Sequence, residues 1–222
     1  MKLDHNLSVN RFQWATKRVR DLLSRQSNSV YYDIGSGENQ LMKGIGPHMA
    51  NNKSFDLNPK SNDVELWDIE QAFPYAYPKA NIVTFLEIVE HLNNPWICVK
   101  NVANIIAPGG YLILTTPNPG WSSSRISLLL KGYLTCFTQS DLDLNHHVFT
   151  AWPHIVKKLL IDNQLEIVEY VTLDGRTKIF DSNLKLSSAV IQIPVRIIKK
   201  IIEYNNPAAI GMSYGIVARK IE

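Results

Sequence analysis

Three acidic side chains stand at or just after the ends of three successive β-like segments. Asp33 closes the apolar run "VYYDI", Asp56 closes "SFD", and Asp68 follows "VELW". Two glycines, Gly35 and Gly37, come directly after the first segment. Carboxylates at such ends accept hydrogen bonds from ligand hydroxyl or amino groups, and glycines allow sharp turns and close backbone approach. Three acids in the same position predict one shared site for a nucleoside-like ligand.

Each acid also has an ordinary alternative role. Asp56 follows the glycines at about the distance of 20 residues that suits a carboxylate for ribose hydroxyls, although "DLNP" is also a typical turn. Asp68 can accept from an adenine amino group or begin a helix as its N-cap. The turn is not a P-loop, because no Gly-Lys-Ser/Thr follows it. The dinucleotide-binding motif G-x-G-x-x-G/A requires a small residue at its third glycine position, where this chain has Gln40, so the sequence disfavours NAD as the ligand.

The elements that must position these residues alternate between strand and helix. The predicted strands are residues 30–34, 54–57, 63–69, 81–89, 111–117, 165–173 and 212–220. The predicted helices are residues 9–25, 39–49, 94–108, 122–134, 150–163 and 188–204. Short connections between alternating elements favour a parallel sheet. We therefore expect an α/β fold with a doubly wound, mostly parallel seven-stranded sheet and helices on both faces.

Composition restricts the class of protein further. The 222 residues fit one domain, and 45% hydrophobic residues supply a core. A net charge of +3 without a clustered basic face disfavours a nucleic-acid partner. The two cysteines, Cys98 and Cys136, match no metal spacing and indicate a reducing compartment. We see no secretion signal and no apolar run long enough to span a bilayer, so we expect a cytoplasmic protein.

Five motifs occur in a recognisable order. They are "VYYDIGSGENQL", "SFDLNP", "WDIEQAFPY", "IVTFLEIVEHLNNP" and "IIAPGGYLILTTPNP". In order and spacing they resemble class I S-adenosylmethionine-dependent methyltransferases, above all the small-molecule branch that includes ubiquinone-biosynthesis and sugar methyltransferases. The resemblance covers roughly residues 28–175. It implies a Rossmann-like fold, S-adenosylmethionine as cofactor and S-adenosylhomocysteine as product.

The resemblance also implies which residues bind the cofactor. They are Asp33, Gly35, Gly37, Asp56, Leu57, Asp68, Ile69, Leu86 and Glu87. Asp33 and Gly35 would hold the amino end of the methionine part, and Asp56 would bind the ribose. Asp68 and Ile69 would bind the adenine. Leu86 and Glu87 would close the pocket beside the sulfonium. One departure is Asn39, which stands where the family usually has a third glycine. Asparagine tolerates left-handed backbone conformations better than most residues.

Methyl transfer is an in-line displacement, and the protein mainly has to align the acceptor with the methyl carbon. A weak nucleophile such as a hydroxyl also needs a base. The candidates are His91 in "VEHL" and the pair His146 and His147 in "NHHVFT", which have the structural alternatives of capping a loop and bracing a lid. Glu90 can orient a histidine or be a solvated charge. Two adjacent histidines with distant acids predict no metal site.

The acceptor pocket should come from segments that elaborate the core. We divide the single domain, residues 1–222, into the N-terminal helix 9–25, a cofactor core 28–117, a lid 118–149 and a C-terminal part 150–222. Expected acceptors are a small molecule, a glycan or a lipid-linked precursor. The alternative is a non-catalytic protein that binds S-adenosylmethionine.

The basic amphipathic segment 188–204 suits either weak contact with a membrane surface or a core-facing surface helix. We expect a monomer or homodimer. A nucleic-acid methyltransferase is disfavoured, because the fourth predicted strand carries no N/D-P-P-Y/F motif.

Overall fold

The computed structural model describes residues 3–5, 10–25, 29–46, 51–175 and 189–221. Its strands form one eight-stranded sheet. They are β1 (Leu3–His5), β2 (Tyr31–Ile34), β3 (Asn52–Asp56), β4 (Val64–Leu66), β5 (Ala80–Leu86), β6 (Ile106–Pro117), β7 (Leu165–Leu173) and β8 (Ser213–Lys220). The seven predicted strands are confirmed as β2 to β8, and the short β1 adds an edge strand that the sequence did not suggest.

The strand order explains why residues from distant segments meet. Across the sheet it is β1-β7-β8-β6-β5-β2-β3-β4. Strand β8 is antiparallel to both β6 and β7, and all other pairs are parallel. The chain runs outward from β2 to β4 and then returns to place β5 beside β2. The order reverses between β2 and β5, and ligands bind at such a switch point, outside the carboxyl ends of the strands.

Helices cover both faces of the sheet, as predicted. They are α1 (Arg11–Leu23), α2 (Gln40–Ile45), α3 (Pro95–Asn104), α4 (Ser122–Lys131), α5 (Gln139–Asn145), α6 (Pro153–Asp162) and α7 (Ala189–Asn205). Five of the six predicted helices lie within a few residues of their predicted bounds, and α5 is additional. The predicted helix 39–49 is shorter, since α2 ends at Ile45, and residues 47–49 lie outside the described part of the chain. No helix in the described residues is long and apolar enough to cross a membrane.

The two faces of the sheet carry separate apolar clusters. One includes Val99 of α3 and Leu159 of α6 with Phe55 of β3. The other packs α1 against the opposite face through Trp14, whose ring lies so close to β8 that a Cβ on Gly215 would meet it at 2.7 Å. Glycine is therefore the residue that lets α1 lie directly on the sheet. This contact fixes the start of α1 near the carboxyl ends of the strands.

Candidate active site

The turn after β2 is shaped by two glycines in left-handed conformations. Gly35 has φ +70° and Gly37 has φ +53°. The backbone N–H groups of Gly35 and Ser36 both donate to the carbonyl oxygen of Phe55, at 2.8 and 3.1 Å. A Cβ on Gly35 would lie 2.1 Å from Cδ1 of Ile88, so this position needs glycine for space as well as for conformation.

Asn39 completes the same turn without touching a ligand site. It is left-handed, with φ 61° and ψ 34°, at the N-cap of α2, and its side chain does not cap the helix. Its side chain is buried and accepts a hydrogen bond from the hydroxyl of Ser54 at 2.8 Å. The residue lines neither of the cavities around the turn. Asn39 therefore replaces the family's third glycine by tolerating the conformation that the turn requires.

Two adjoining cavities lie over the carboxyl ends of the strands. The first has a volume of about 290 Å³ and the second about 410 Å³, and both touch Ile34, Gly35 and Ile88. The predicted cofactor residues on the wall of the first cavity are Asp33, Gly35, Gly37, Leu86 and Glu87. Those on the wall of the second are Gly35, Asp56, Leu57, Asp68 and Ile69. The fold thus brings all nine predicted residues to one composite groove.

Asp33 is a buried carboxyl at the floor of the first cavity. Burial raises the pKa of this group to about 7, against the effect of the Thr84 hydroxyl, which donates to its Oδ1 at 2.6 Å, and with a smaller contribution from the charge of Asp56. Among the described residues no cation forms an ion pair with it. A buried carboxyl of this kind is suited to a cationic ligand group such as an ammonium.

Asp56 and Asp68 shape their own turns as well as the second cavity. Asp56 accepts from the N–H of Gly37 through Oδ2 at 2.8 Å and from the N–H of Asn58 through Oδ1 at 2.9 Å. Asp68 accepts from the N–H of Glu70 at 3.0 Å. Asp56 thus has the turn role that the sequence left open. Asp68 also shapes a turn, but no helix begins there in the described residues, so the alternative of a helix N-cap is wrong for Asp68. Both turn contacts coexist with a position on the cavity wall, since each carboxylate oxygen has more than one acceptor site.

The three candidate histidines occupy different places. His91 ends a short 3-10 helix, Val89–His91, and lines the second cavity together with the exposed His146. His147 does not line the cavity. Its ring packs edge-on against His91 with centroids 4.9 Å apart, and its Nδ1 lies 2.6 Å from the carbonyl oxygen of Cys136. The fold therefore packs His147 against His91, whereas the exposed His146 lines the second cavity without a ring contact to His147 among the described residues.

Comparison with protein families identifies the class. The family model described as a methyltransferase domain matches residues 9–171, which is most of the chain, from the segment before α1 into β7. The chain belongs to the class I S-adenosylmethionine-dependent methyltransferases. The resemblance stated from the motifs is confirmed, and S-adenosylmethionine is the cofactor of this family.

Individual relatives are more distant. The methyltransferase is 26% identical over 153 residues to a ubiquinone biosynthesis O-methyltransferase of Bradyrhizobium sp. (strain ORS 278), over 62% of this chain and 58% of that protein. The chain thus spans less than two thirds of the length of the curated relatives it matches.

Two solved structures share the fold. One is a SAM-dependent methyltransferase from Archaeoglobus fulgidus, with a TM-score of 0.59 at 19% identity, covering 94% of both chains. The other is the N-methyltransferase NodS from Bradyrhizobium japonicum WM9 in complex with S-adenosyl-L-homocysteine, with a TM-score of 0.56 at 16% identity, covering 96% of this chain and 89% of that one.

The structure adds one residue to the first cavity's surroundings that the sequence did not single out. Arg11, at the start of α1, places its Nε 3.1 Å from Oε2 of Glu87 and its Nη1 3.2 Å from Asp174. Glu87 is held in a left-handed conformation, φ 55°, and also accepts from the hydroxyl of Thr115. Burial raises the pKa of Glu87 and Arg11 opposes this. The sequence did not predict this contact, because Arg11 is a single arginine on a helix with an irregular apolar pattern.

Glu90 of the methyltransferase is not a solvated charge. Its side chain is 1% exposed and accepts from the hydroxyl of Thr116 at 2.8 Å. Burial raises its pKa, and the nearby charge of Glu87 adds to the effect. The backbone carbonyl of Glu90 accepts from the N–H groups of Val148 and Phe149, both at 3.0 Å. This contact draws the segment with the two histidines onto the end of β5.

Proposed function

We propose that this chain transfers the methyl group of S-adenosylmethionine to an oxygen atom of a small molecule, a glycan or a lipid-linked precursor. The observation that carries the proposal is the composite groove, in which nine strand-end residues line two adjoining cavities. Four of them carry carboxylates, and three of these, Asp33, Asp56 and Asp68, stand at successive strand ends, where they fit the amino, hydroxyl and exocyclic groups of one adenosine-containing ligand.

The cofactor is expected to lie across both cavities. Asp33 and Gly35 take the ammonium of the methionine part in the first cavity, where the buried carboxyl of Asp33 has no cation partner among the described residues. Asp56 accepts from the ribose hydroxyls, with Leu57 beside the sugar, and the 68–69 pair holds the adenine in the second cavity. Leu86 and Glu87, on the wall of the first cavity, flank the sulfonium.

Transfer itself is an in-line displacement. A lone pair on the acceptor oxygen forms the new bond to the methyl carbon while the carbon–sulfur pair moves to sulfur, which becomes a neutral thioether. Alignment of the two reactants lowers the barrier by several kcal/mol. His91 is the foremost candidate base, because burial and the neighbouring His147 lower its pKa and keep the imidazole neutral at pH 7. His146 on the same cavity wall is the second candidate, and His147 acts through His91.

Oxygen is favoured as the accepting atom by two lines of support. The curated relatives that match carry the name O-methyltransferase, and a hydroxyl is the nucleophile that needs the bases found at this cavity. The lid supports an acceptor with an apolar part, since α4 leaves Leu128, Leu129 and Leu130 exposed beside α7. We further expect a cytoplasmic monomer or homodimer, in keeping with Cys98 and Cys136, which form no disulfide in the described part of the chain.

Calorimetric titration with S-adenosylmethionine and S-adenosylhomocysteine tests the cofactor site. The Asp56→Ala variant should bind both at least tenfold more weakly, because it loses the ribose contact and the brace on Gly37. Asp63→Ala removes an exposed carboxylate in a neighbouring loop and should bind like the wild type. Equal affinity of Asp56→Ala and wild type would contradict the site.

Turnover is a separate test of catalysis. Formation of S-adenosylhomocysteine in a screen of hydroxylated metabolites identifies the acceptor. Tight cofactor binding without turnover on any acceptor would favour the non-catalytic alternative.

A further inference from the structure

Glu90, His91 and His147 form a cluster with the composition of a metal site. Each offers one ligand atom, and the three atoms lie within 4.8 Å of one another. In the described part of the chain this is the only such group of three. His91 Nε2 and Glu90 Oε1 are 3.9 Å apart, a separation that one cation can bridge with bonds of about 2.1 Å. Contraction of under about 1 Å brings the remaining atoms to ligand distance.

The surroundings hold two of these side chains in a ligating orientation. A carbonyl oxygen only accepts, so His147 Nδ1 must donate to the oxygen of Cys136, which leaves the lone pair of the other ring nitrogen, Nε2, free to ligate. Glu90 Oε2 is fixed by the hydroxyl of Thr116. A histidine whose second nitrogen donates to a backbone carbonyl and a carboxylate held by a hydroxyl are the outer contacts that accompany metal ligands.

We propose that Glu90, His91 and His147 bind one divalent transition-metal cation beside the second cavity, with open coordination positions for the acceptor. Two imidazoles and one carboxylate suit Zn²⁺, Co²⁺, Mn²⁺ or Fe²⁺ better than Ca²⁺ or Mg²⁺, which prefer oxygen ligands. Three protein ligands also leave positions for water or substrate. The inference departs from the expectation of no metal and rests on the proposed function for the use of the cation.

The burial of Glu90 supports a cation at this place. The Glu90 side chain is 1% exposed, and buried charged groups in proteins are paired or coordinate metals. In the sequence, Glu90 stands far from the histidine pair. In the structure, the backbone of Glu90 bonds to Val148 and Phe149, which places His147 rather than His146 beside His91.

The cation would act on the acceptor oxygen. His91 belongs both to the cluster and to the wall of the second cavity, so a hydroxyl entering from that cavity reaches the open positions. Coordination would lower the pKa of the hydroxyl, and its proton would leave to water at the cavity mouth, so that His91 is a ligand when the cation is bound and is the candidate base only without it. The oxygen keeps its electron pair, attacks the methyl carbon, and the carbon–sulfur bond breaks toward sulfur. Atoms and electrons balance without an oxidant or reductant.

Titration of the chelator-treated protein with Co²⁺ tests the site, with visible absorption as the readout and Zn²⁺ as competitor. We expect one equivalent per chain. Glu90→Gln and His147→Ala should each weaken Co²⁺ binding at least tenfold. His154→Ala, which removes an exposed histidine on α6, should stay within twofold of wild type. S-adenosylhomocysteine binding without metal, retained by both cluster variants, shows that they fold.

The two proposals fail separately. No saturable Co²⁺ signal, or equal affinity in wild type and cluster variants, overturns the metal site and leaves the proposed function standing if S-adenosylhomocysteine binds. Stoichiometric Co²⁺ binding that both cluster variants weaken supports the metal site. If the same protein binds no S-adenosylhomocysteine, the proposed function falls and the metal site remains.

Discussion

The turn from Gly35 to Asn39 and the segment from Cys136 to Phe149 both supply residues to the site, but they are built differently. The turn joins β2 directly to α2, and its shape is set by backbone conformations and by hydrogen bonds to Phe55 and Asp56. The lid segment carries α5 and reaches the site only through side-chain and backbone contacts with residues far away in the chain.

We infer that the difference separates the residues proposed to bind the cofactor from the segment proposed to select the acceptor. Every residue assigned to the cofactor lies within about three residues of the end of a parallel strand, where the fold itself fixes its position. The histidines of the lid depend on tertiary contacts, which are the hydrogen bonds from Val148 and Phe149 to Glu90 and the packing of His147 on His91. Such a scaffold keeps its cofactor site while its lid changes with the acceptor.

Gly35→Ala should have the largest effect. The new methyl group meets Ile88 at 2.1 Å, and alanine is strained at φ +70°. We expect loss of S-adenosylmethionine affinity by at least 100-fold together with destabilisation of about 3 kcal/mol. Calorimetry and thermal unfolding measure the two effects.

The matched control for this variant lies in the lid. Gly132→Ala imposes a similar strain at φ +81°, at the end of α4, where a Cβ has nothing within 4 Å. It should cost about 1 kcal/mol and leave cofactor affinity unchanged. If Gly35→Ala and Gly132→Ala lost affinity for S-adenosylmethionine equally, the proposal that the turn binds the cofactor and the lid does not would be wrong.

The sequence predicts the turn far better than the lid for a physical reason. Strand 30–34 is a short, mainly apolar run, and strand 54–57 ends at the turn "DLNP", so both carboxyl ends follow from local pattern alone and Asp33 and Asp56 could be placed together. Asn39 was recognised as a departure, but its bond to Ser54 was not foreseeable.

The opposite holds for Arg11, Glu90 and α5. Glu90 and His147 are 57 residues apart in the chain, and no periodicity connects them. Arg11 reaches Glu87 only because Trp14 packs on Gly215 and so fixes α1 on the sheet. Contacts of this kind depend on packing between elements, which a single sequence does not encode in a local pattern.

Asp33→Asn should change stability and cofactor affinity in opposite directions, raising the free energy of unfolding at pH 8 while weakening the binding of S-adenosylmethionine. Burial raises the pKa of Asp33 to about 7, so the folded chain retains a proton that the unfolded chain releases above about pH 4. The wild type therefore loses stability as pH rises from about 4 to 7, and asparagine does not. The variant should be more stable than the wild type by about 4 kcal/mol at pH 8 without cofactor, because the folded and unfolded pKa differ by about three and each pKa unit corresponds to about 1.4 kcal/mol, and about equal at pH 4.

The same variant should bind S-adenosylmethionine at least tenfold more weakly, because the ammonium loses its carboxylate. Denaturant unfolding across the pH range and calorimetry at pH 8 measure the two effects. Asp63→Asn, at an exposed carboxylate, is the control and should change neither. A gain that is largest at pH 4 would contradict the assignment of the proton to Asp33.

Leu129→Gln should have the smallest effect and should act only on the lid side. Leu129 is 76% exposed on α4, which contacts α7, and α7 presents the exposed Ile197 and Ile201 beside the basic residues Arg196 and Lys200. Apolar and cationic side chains together suit an anionic lipid surface or the lipid end of an acceptor. We expect a loss of about 1 kcal/mol, or several-fold, in co-sedimentation with anionic vesicles.

The matched control applies the same chemistry to the cofactor half. Leu66→Gln changes a leucine that is 58% exposed on the edge strand β4, and it should leave vesicle binding unchanged. Both variants should keep the cofactor affinity of the wild type, because neither side chain lines the groove. If Leu66→Gln reduced sedimentation as much as Leu129→Gln, vesicle contact would be a property of exposed leucines in general. A loss confined to Leu129→Gln would place the vesicle contact on the lid, the part of the molecule that the strand pattern does not determine.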